Sequence, residues 1–470
     1  MNDRQGIDAF DEDAGEPIGW REALQTWTRI ALLSFGGPTG QIAVMHRILV
    51  DEKKWVSEER FLHALNFCML LPGPEAQQLA TYLGWLLHRT WGGIAAGTIF
   101  ILPGFASILT LSILYVEFHE AVALHGVLLG LKAAVLAIVL EAVQRIGKRV
   151  LKSRTLLTIA AAAFFGIFCL GIPFPLLILL AGLTGLVGGR LYPAAFLRSS
   201  STQAASASAS STTPPSPVER LAIRDASDLP QPTWGRALRV SLLCLTLWWT
   251  PVAAVAWWQG GDSVFVSQSL FFSKASLVTF GGAYSVLSYV AQQAVERFRW
   301  LSPPEMLDGL GLAETTPGPL IMVVQFVAFL GAYRNPGTLP PLAAAVLGSV
   351  LTAWVTFVPC FYWIFLGAPY VERLRANRAW SSSLNAITAA VVGVVLNLAV
   401  WFAAHTLFDR VETAGWGPVS WLRPDWTSWR WDAAVIALAA IVLTFVLRRG
   451  MAQTLAACAA AGVLWQLVGS

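Results

Sequence analysis

The sequence predicts an all-α integral membrane protein of two inverted-topology repeats, with broken or re-entrant helices and about 13 spans. Three observations predict it. The chain is apolar throughout: 56% of its 470 residues are hydrophobic, 13% are charged, and the mean hydropathy is +0.59, against about 25% charged residues in a soluble domain. It also repeats itself. Phe35, Gly36 and Gly37 recur as Phe280, Gly281 and Gly282, Trp55 and Ser57 as Trp300 and Ser302, and Pro72, Gly73 and Pro74 as Pro317, Gly318 and Pro319, all 245 positions later. Pro103 and Pro359, Ala133 and Ala389, and Leu140 and Leu396 are 256 apart, so one insertion of 11 residues registers the halves. Finally, Gly and Pro interrupt the apolar runs at these repeated motifs, where a straight helix fails. A duplicated apolar chain with broken segments is the pattern of a secondary transporter whose site lies between its repeats.

Residues 1–19 are polar and acidic and lack the basic start and apolar core of a cleaved signal peptide. A hydrocarbon core about 30 Å thick needs roughly 20 apolar residues per helix. By that measure the first repeat, 20–197, has runs at 22–48, 60–87, 90–117, 121–147, 154–170 and 173–193. Residues 198–234 are rich in Ser, Ala and Pro and read as a flexible extramembrane linker. A connecting span within 235–263 follows, at 237–259. The second repeat, 264–470, then has runs at 264–292, 305–332, 338–366, 384–406, 431–448 and 451–468. Six crossings alone would leave the repeats parallel; the extra span inverts the second.

Charge placement agrees, because loops rich in Lys and Arg stay cytoplasmic. With the N-terminus inside, cytoplasmic loops collect the basic cluster Arg145 to Arg154, then Arg190 to Arg239, Arg297 and Arg299, Arg373 to Arg378, and Arg448 and Arg449. The exception is 47–60, placed outside with Arg47, Lys53, Lys54 and Arg60. A first pair that is re-entrant would remove the conflict. Many of the 21 Trp lie near the ends of apolar runs, as aromatic belts do. The five Cys fall inside apolar runs without C-x-x-C spacing and read as small buried hydrophobes, not as a metal site or disulfide framework.

The chemistry concentrates at the breaks. Gly36-Gly37-Pro38 interrupts the first run and Pro72-Gly73-Pro74 the second. A half-helix N-terminus at such a break presents free N–H groups and roughly +0.5 of a charge, so the Pro-Gly-Pro segments at 72–74 and 317–319 would hold an oxyanion from opposite sides. The competing reading is that Gly pairs only allow close helix contact and the prolines only kink. Glu75, Gln77, Gln78 and Thr81 follow the first Pro-Gly-Pro; Glu314, Thr315 and Thr316 precede the second. Glu75 and Glu314 are the candidate coupling groups, because ionisable residues within a membrane mark ion pathways; the alternative is a wet or Arg-paired helix end. Lys132 lies mid-run, opposite Thr388 in the second repeat, and is a candidate anion ligand. Arg29 and Lys274 read as snorkelling side chains. No enzyme signature stands out: His119-Glu120 with His125 misses the H-E-x-x-H spacing, and there is no P-loop.

With FGGPTGQIA at 35–43, LPGPEAQQLATYLG at 71–84, and FGGAYSVL and ETTPGPL in the second half, the chain resembles the chromate ion transporter family in its long, two-domain form. The resemblance implies a multi-pass protein of the cytoplasmic (inner) membrane, built of fused, oppositely oriented domains, that exports chromate and confers resistance to it. The motif residues it carries over are Phe35, Gly36, Gly37, Pro38, Pro72, Gly73, Pro74 and Glu75, then Phe280, Gly281, Gly282, Glu314, Thr316, Pro317, Gly318 and Pro319. Gln41 stands where many members have His. The expectation is a secondary active chromate exporter working by alternating access. A sulfate or other oxyanion transporter, an anion channel and a membrane sensor are the alternatives. Expected partners are chromate or sulfate, a coupling ion with the proton as candidate, and the lipid bilayer. Neither nucleic acid nor a cofactor is expected, and a homodimer is one open oligomeric state.

Overall fold

The computed structural model describes residues 18–118, 121–192, 196, 233–280, 282–370, 378–417 and 419–469. Gly281, Arg373, Arg375, nearly all of the linker and most of the acidic N-terminal segment lie outside the described residues. The rest is almost wholly helical. The first repeat contains α1 (Trp20–Leu33), α2 (Gly37–His46), α3 (Glu58–Cys68), α4 (Glu75–Glu117), α5 (Val122–Val150), α6 (Arg154–Leu170) and α7 (Phe174–Leu191). After α8 (Trp234–Gln259), the second contains α9 (Val264–Val278), α10 (Ala283–Gln292), α11 (Pro303–Thr315), α12 (Val323–Arg334), α13 (Pro341–Gly367), α14 (Arg378–Leu407), α15 (Trp431–Ile441) and α16 (Met451–Gly469). Between α14 and α15 lies an antiparallel hairpin, β1 (Val411–Trp416) with β2 (Val419–Pro424). Among the described residues seven helices are long and apolar enough to cross a membrane, and Arg154–Leu170, Val264–Val278, Leu320–Arg334 and Trp431–Val446 are shorter apolar helices.

The thirteen apolar runs are all present, but four of them are not straight rods. The run at 22–48 breaks at Ser34 to Gly36 and doubles back: Lys53 pairs with Glu22 at 2.7 Å and Arg29 with Glu52 at 2.7 Å, so both ends of the α1–α2 hairpin lie together. Next, α3 and the first arm of α4 fold back at Pro72 to Pro74, where Phe67 meets Tyr82 across the hairpin. His88 at its end returns to the Ile18 carbonyl, 2.8 Å away. The φ/ψ angles of His88 and Arg89 are non-helical, and α4 reverses there. Its second arm then runs back so closely that Gly84 and Gly92 meet with no room for a Cβ.

The second repeat does the same. Trp300 folds back on Phe271 and Phe272, and Arg334 closes the α11–α12 hairpin by pairing with Glu305 at 2.5 Å and donating to the Trp300 carbonyl. These hairpins enter from the opposite end. The second arm of α4 starts beside His88, passes the second repeat's Pro-Gly-Pro at Gly104, and reaches Asp308 with Tyr115, about 42 Å at 1.5 Å per residue for 28 residues. Its counterpart α13 passes the first Pro-Gly-Pro at Cys360 and continues to Gly97 and Gly93 of α4 through Phe361 and Phe365. The four hairpin tips therefore meet midway along these two helices.

The remaining helices exchange partners between repeats. α7 and α6 pack on α14, while α16 and α15 pack on α5. Small residues make this possible: Gly126 and Gly130 of α5 face Gly462 and Cys458 of α16, and Gly185 and Gly189 of α7 face Ser382 of α14. Without a hydrophobic drive between helices in lipid, close backbone approach supplies the contact energy.

Candidate functional site

The tips interlock through a reciprocal pair of backbone hydrogen bonds. The Gly73 N–H donates to the Thr279 carbonyl at 2.8 Å, and the Gly318 N–H donates to the Ser34 carbonyl at 2.9 Å. Gly73 and Gly318 are repeat counterparts, as are Ser34 and Thr279. Each Pro-Gly-Pro thus grips the residue just before the Phe-Gly-Gly of the other repeat. The chain reverses here only because of glycine: φ is +131° at Gly73 and +94° at Gly318, a region that L side chains rarely adopt. Behind each tip stands the other repeat's long helix. A Cβ on Gly73 would lie 2.9 Å from Cys360 Sγ of α13, and one on Gly104 of α4 would lie 2.7 Å from the Pro317 carbonyl oxygen.

The Phe-Gly-Gly motifs open the second arms. Gly36 (φ +87°) and Gly37 (φ +67°) start α2, with Pro38 in its first turn; Gly282 (φ +97°) caps α10. Pro74 precedes the first residue of α4, Glu75, and Pro319 precedes the short 3₁₀ turn leading into α12. Four half-helix N-termini thus converge at mid-molecule, and no side chain caps any of them. Each arm is short, about 18 Å for the 12 residues of α12, against a hydrocarbon core of roughly 30 Å.

Polar side chains gather at the junction. Glu314 is 3% exposed and accepts a 2.7 Å hydrogen bond from the Tyr284 hydroxyl, while its Oε2 has no partner. Tyr284 Oη lies 3.5 Å from where a Cβ of Gly37 would stand, which brings this pair of the second repeat against the Phe-Gly-Gly of the first. Gln41 donates to the Gly318 carbonyl at 2.5 Å and Gln78 to the Pro72 carbonyl at 2.8 Å. Gln77 reaches Thr81, and the Oε1 atoms of Gln77 and Gln78 are buried without partners. Glu75 is half-buried at the α4 start, and Thr316 is buried with its hydroxyl on the Ala313 carbonyl. Phe35 is 42% exposed, whereas Phe280 is half-buried. No cluster able to hold a metal ion occurs among the described residues.

Lys132 stands apart from the tips, on α5, paired with Asp308 of α11 at 3.0 Å. Lys274 is exposed and Arg29 is spent on Glu52. Several participants escape a reading of the sequence. Ser34 and Thr279 act through carbonyls, which sequence does not display, although both are hydroxyl residues at the repeat offset. Tyr284 has Thr39 as its counterpart and gives no repeat signal. Asp308 does carry one: it is an acid inside an apolar run.

The chromate transporter family pattern matches residues 21–186 and 266–463. A chromate transport protein of Pseudomonas aeruginosa is 32% identical over 399 residues, covering 83% of each chain. One from Cupriavidus metallidurans is 26% identical over 390 residues, covering 83% of this chain and 84% of its own. An uncharacterized transporter of Methanocaldococcus jannaschii is 23% identical over 384 residues, 81% of this chain and 83% of its own. No solved structure matches the chain. With both halves matched at the interlocked motifs, this multi-pass membrane protein belongs to the chromate transporter family.

Proposed function

We propose that the chain is a secondary active transporter that moves chromate out of the cytoplasm by alternating access, giving resistance to it, and that the hairpin tips form the substrate site. One observation carries this reading: two oppositely entering pairs of broken hairpins lock tip to tip through Gly73 with Thr279 and Gly318 with Ser34. Irregular backbone at membrane depth is tolerated where protein or a water-filled path surrounds it. The uncapped N-termini of α2, α4, α10 and α12 supply the field for a tetrahedral dianion. Phe35, Gly36, Gly37, Pro38, Pro72, Gly73, Pro74, Phe280, Gly282, Thr316, Pro317, Gly318 and Pro319 frame that site, and Gln41, Gln77 and Gln78 can turn an amide N–H toward the anion.

Glu314 and Glu75 are the coupling groups of this proposal. A carboxylate offers only acceptors, so one that faces an oxyanion must carry a proton to donate a hydrogen bond. Anion binding and protonation of these carboxylates would then be linked. The charge rule places 18–22, 47–60 and 88–89 on the cytoplasmic face, because the hairpins return these residues to one end. On this reading 47–60 lie with the N-terminus, as a re-entrant first pair requires, and Arg297 and Arg299 lie on the opposite face.

The test is chromate uptake by everted membrane vesicles under imposed proton or ion gradients. Uphill accumulation supports the proposal. Flux that only equilibrates the two sides identifies a channel, and equal competition by sulfate identifies a general oxyanion carrier.

A further inference from the structure

Away from the tips, a cavity of about 560 Å³ opens between α4, α5, α11 and α12 at the end of the molecule that carries the second repeat's hairpin bases. Three cations from three parts of the fold converge on it: Lys132 of α5, Arg334 of α12 and Arg430 just before α15. Two acids line it, Asp308 and Glu305. Arg334 is held by Glu305, and Arg430 by Asp432 at 2.7 Å. Lys132 differs because it lies deepest: its side chain is 16% exposed, and that of its partner Asp308 is 5% exposed. Asp308 uses its other oxygen, Oδ2, to accept from the Tyr115 hydroxyl at 3.0 Å.

We propose that this cavity is an oxyanion vestibule in which Asp308 is a tethered stand-in carboxylate on Lys132, displaced when a tetrahedral dianion binds. The inference rests on the oxyanion reading of the tips and adds a second station on the same route. Removing two charges from water costs several kcal/mol per ion, and attraction between them repays it only with good geometry. An arriving dianion brings twice the charge of Asp308 to Lys132 and keeps it compensated. The released carboxylate keeps its Tyr115 hydrogen bond. At about 30 Å³ per water, the cavity admits an oxyanion with part of its hydration shell. Two turns of α11 connect the stations, since Asp308 faces the cavity and Glu314 the tips. Between them Gly311 packs on Leu131, where an added Cβ would lie 2.9 Å from the Leu131 Cβ.

The experiment uses the purified full-length protein with its five cysteines replaced and Val116→Cys introduced on the cavity wall. The rate of modification by a charged thiol reagent is followed against sulfate, a probe that, unlike chromate, does not oxidise thiols. The vestibule predicts that sulfate slows labelling, and that Asp308→Asn lowers the half-protecting sulfate concentration about tenfold, the equivalent of about 1.4 kcal/mol. Because a lone buried charge can unfold the chain, the charge-free double variant Lys132→Gln with Asp308→Asn is tested as well; it should elute as a folded species and lose protection. Unchanged labelling in sulfate, an unchanged midpoint in Asp308→Asn, or full protection of the double variant overturns the proposal. Glu314→Gln separates the two readings. Protection with normal proton-driven transport in that variant and in Glu75→Gln leaves the vestibule standing and sinks the tip coupling site, whereas lost coupling without sulfate protection in the parent protein does the reverse.

Discussion

Glycine at the tips is a steric requirement with unequal consequences. Gly73 and Gly282 both have positive φ, but a Cβ at Gly73 meets Gln78 Nε2 at 2.8 Å and Cys360 Sγ at 2.9 Å, whereas one at Gly282 meets nothing within 4 Å. Gly282→Ala should therefore cost only backbone strain, of order 1 kcal/mol, and Gly73→Ala about 2–3 kcal/mol once the clash is added. Thermal unfolding of the two purified variants ranks them. The glutamates make a different test. Glu314→Gln keeps an acceptor for Tyr284 and loses only the ability to ionise, so the variant should fold normally and lose chromate accumulation driven by an imposed pH gradient. Uptake driven by that gradient at the parent rate in both Glu314→Gln and Glu75→Gln would remove these residues from coupling.

At the scale of single elements, α4 shows what decides a reversal within an apolar stretch. Arg89 holds φ +53° and ψ −145° at the turn, a conformation that costs a residue with a Cβ of order 1–3 kcal/mol. Arg89→Gly should raise stability by about 1 kcal/mol, read as a higher melting temperature. The hairpin itself depends on Gly84 against Gly92. Gly92→Leu should wedge the arms apart and prevent a monodisperse folded species from eluting, while Gly19→Leu, with open space around it, should not. The ends of runs two and three near 87 and 90 are legible in the sequence, because His88-Arg89 interrupts the apolar pattern. That the first arm of α4 stops halfway is not, since a half-helix and a spanning helix share one apolar periodicity.

Across the whole molecule, the inverted pair and the exchange of helices between repeats belong together. With α15 and α16 on α5 and α6 and α7 on α14, each half buries its last two helices against the other. Opposite entry predicts opposite labelling: Glu59→Cys and Arg299→Cys should react with an impermeant thiol reagent from opposite sides of sealed vesicles, Glu59 from the cytoplasmic side. Labelling of both from one side would contradict inversion. The repeats are not in equivalent states. α10 packs on α14 and α11 on α5, but no comparable packing joins α2 to α5 or α3 to α14 among the described residues. Phe35 is correspondingly more exposed than Phe280. On the proposed function, unequal hairpins in a shared frame would be the arrangement from which alternating access starts.

Composition and the 245-residue repeat by themselves determined a membrane protein of two related halves, and Gly and Pro within apolar runs determined where its helices break. These properties are local: hydropathy decides what leaves water, and a missing N–H or a missing Cβ decides where a helix stops. Only the tertiary structure decided that four runs double back, that each Pro-Gly-Pro grips the opposite repeat, and that Lys132 meets Asp308 and not the tips. Those outcomes depend on which surfaces approach closely between residues far apart in the chain, through carbonyls and through the partners each glycine meets, neither of which the pattern of residue types displays.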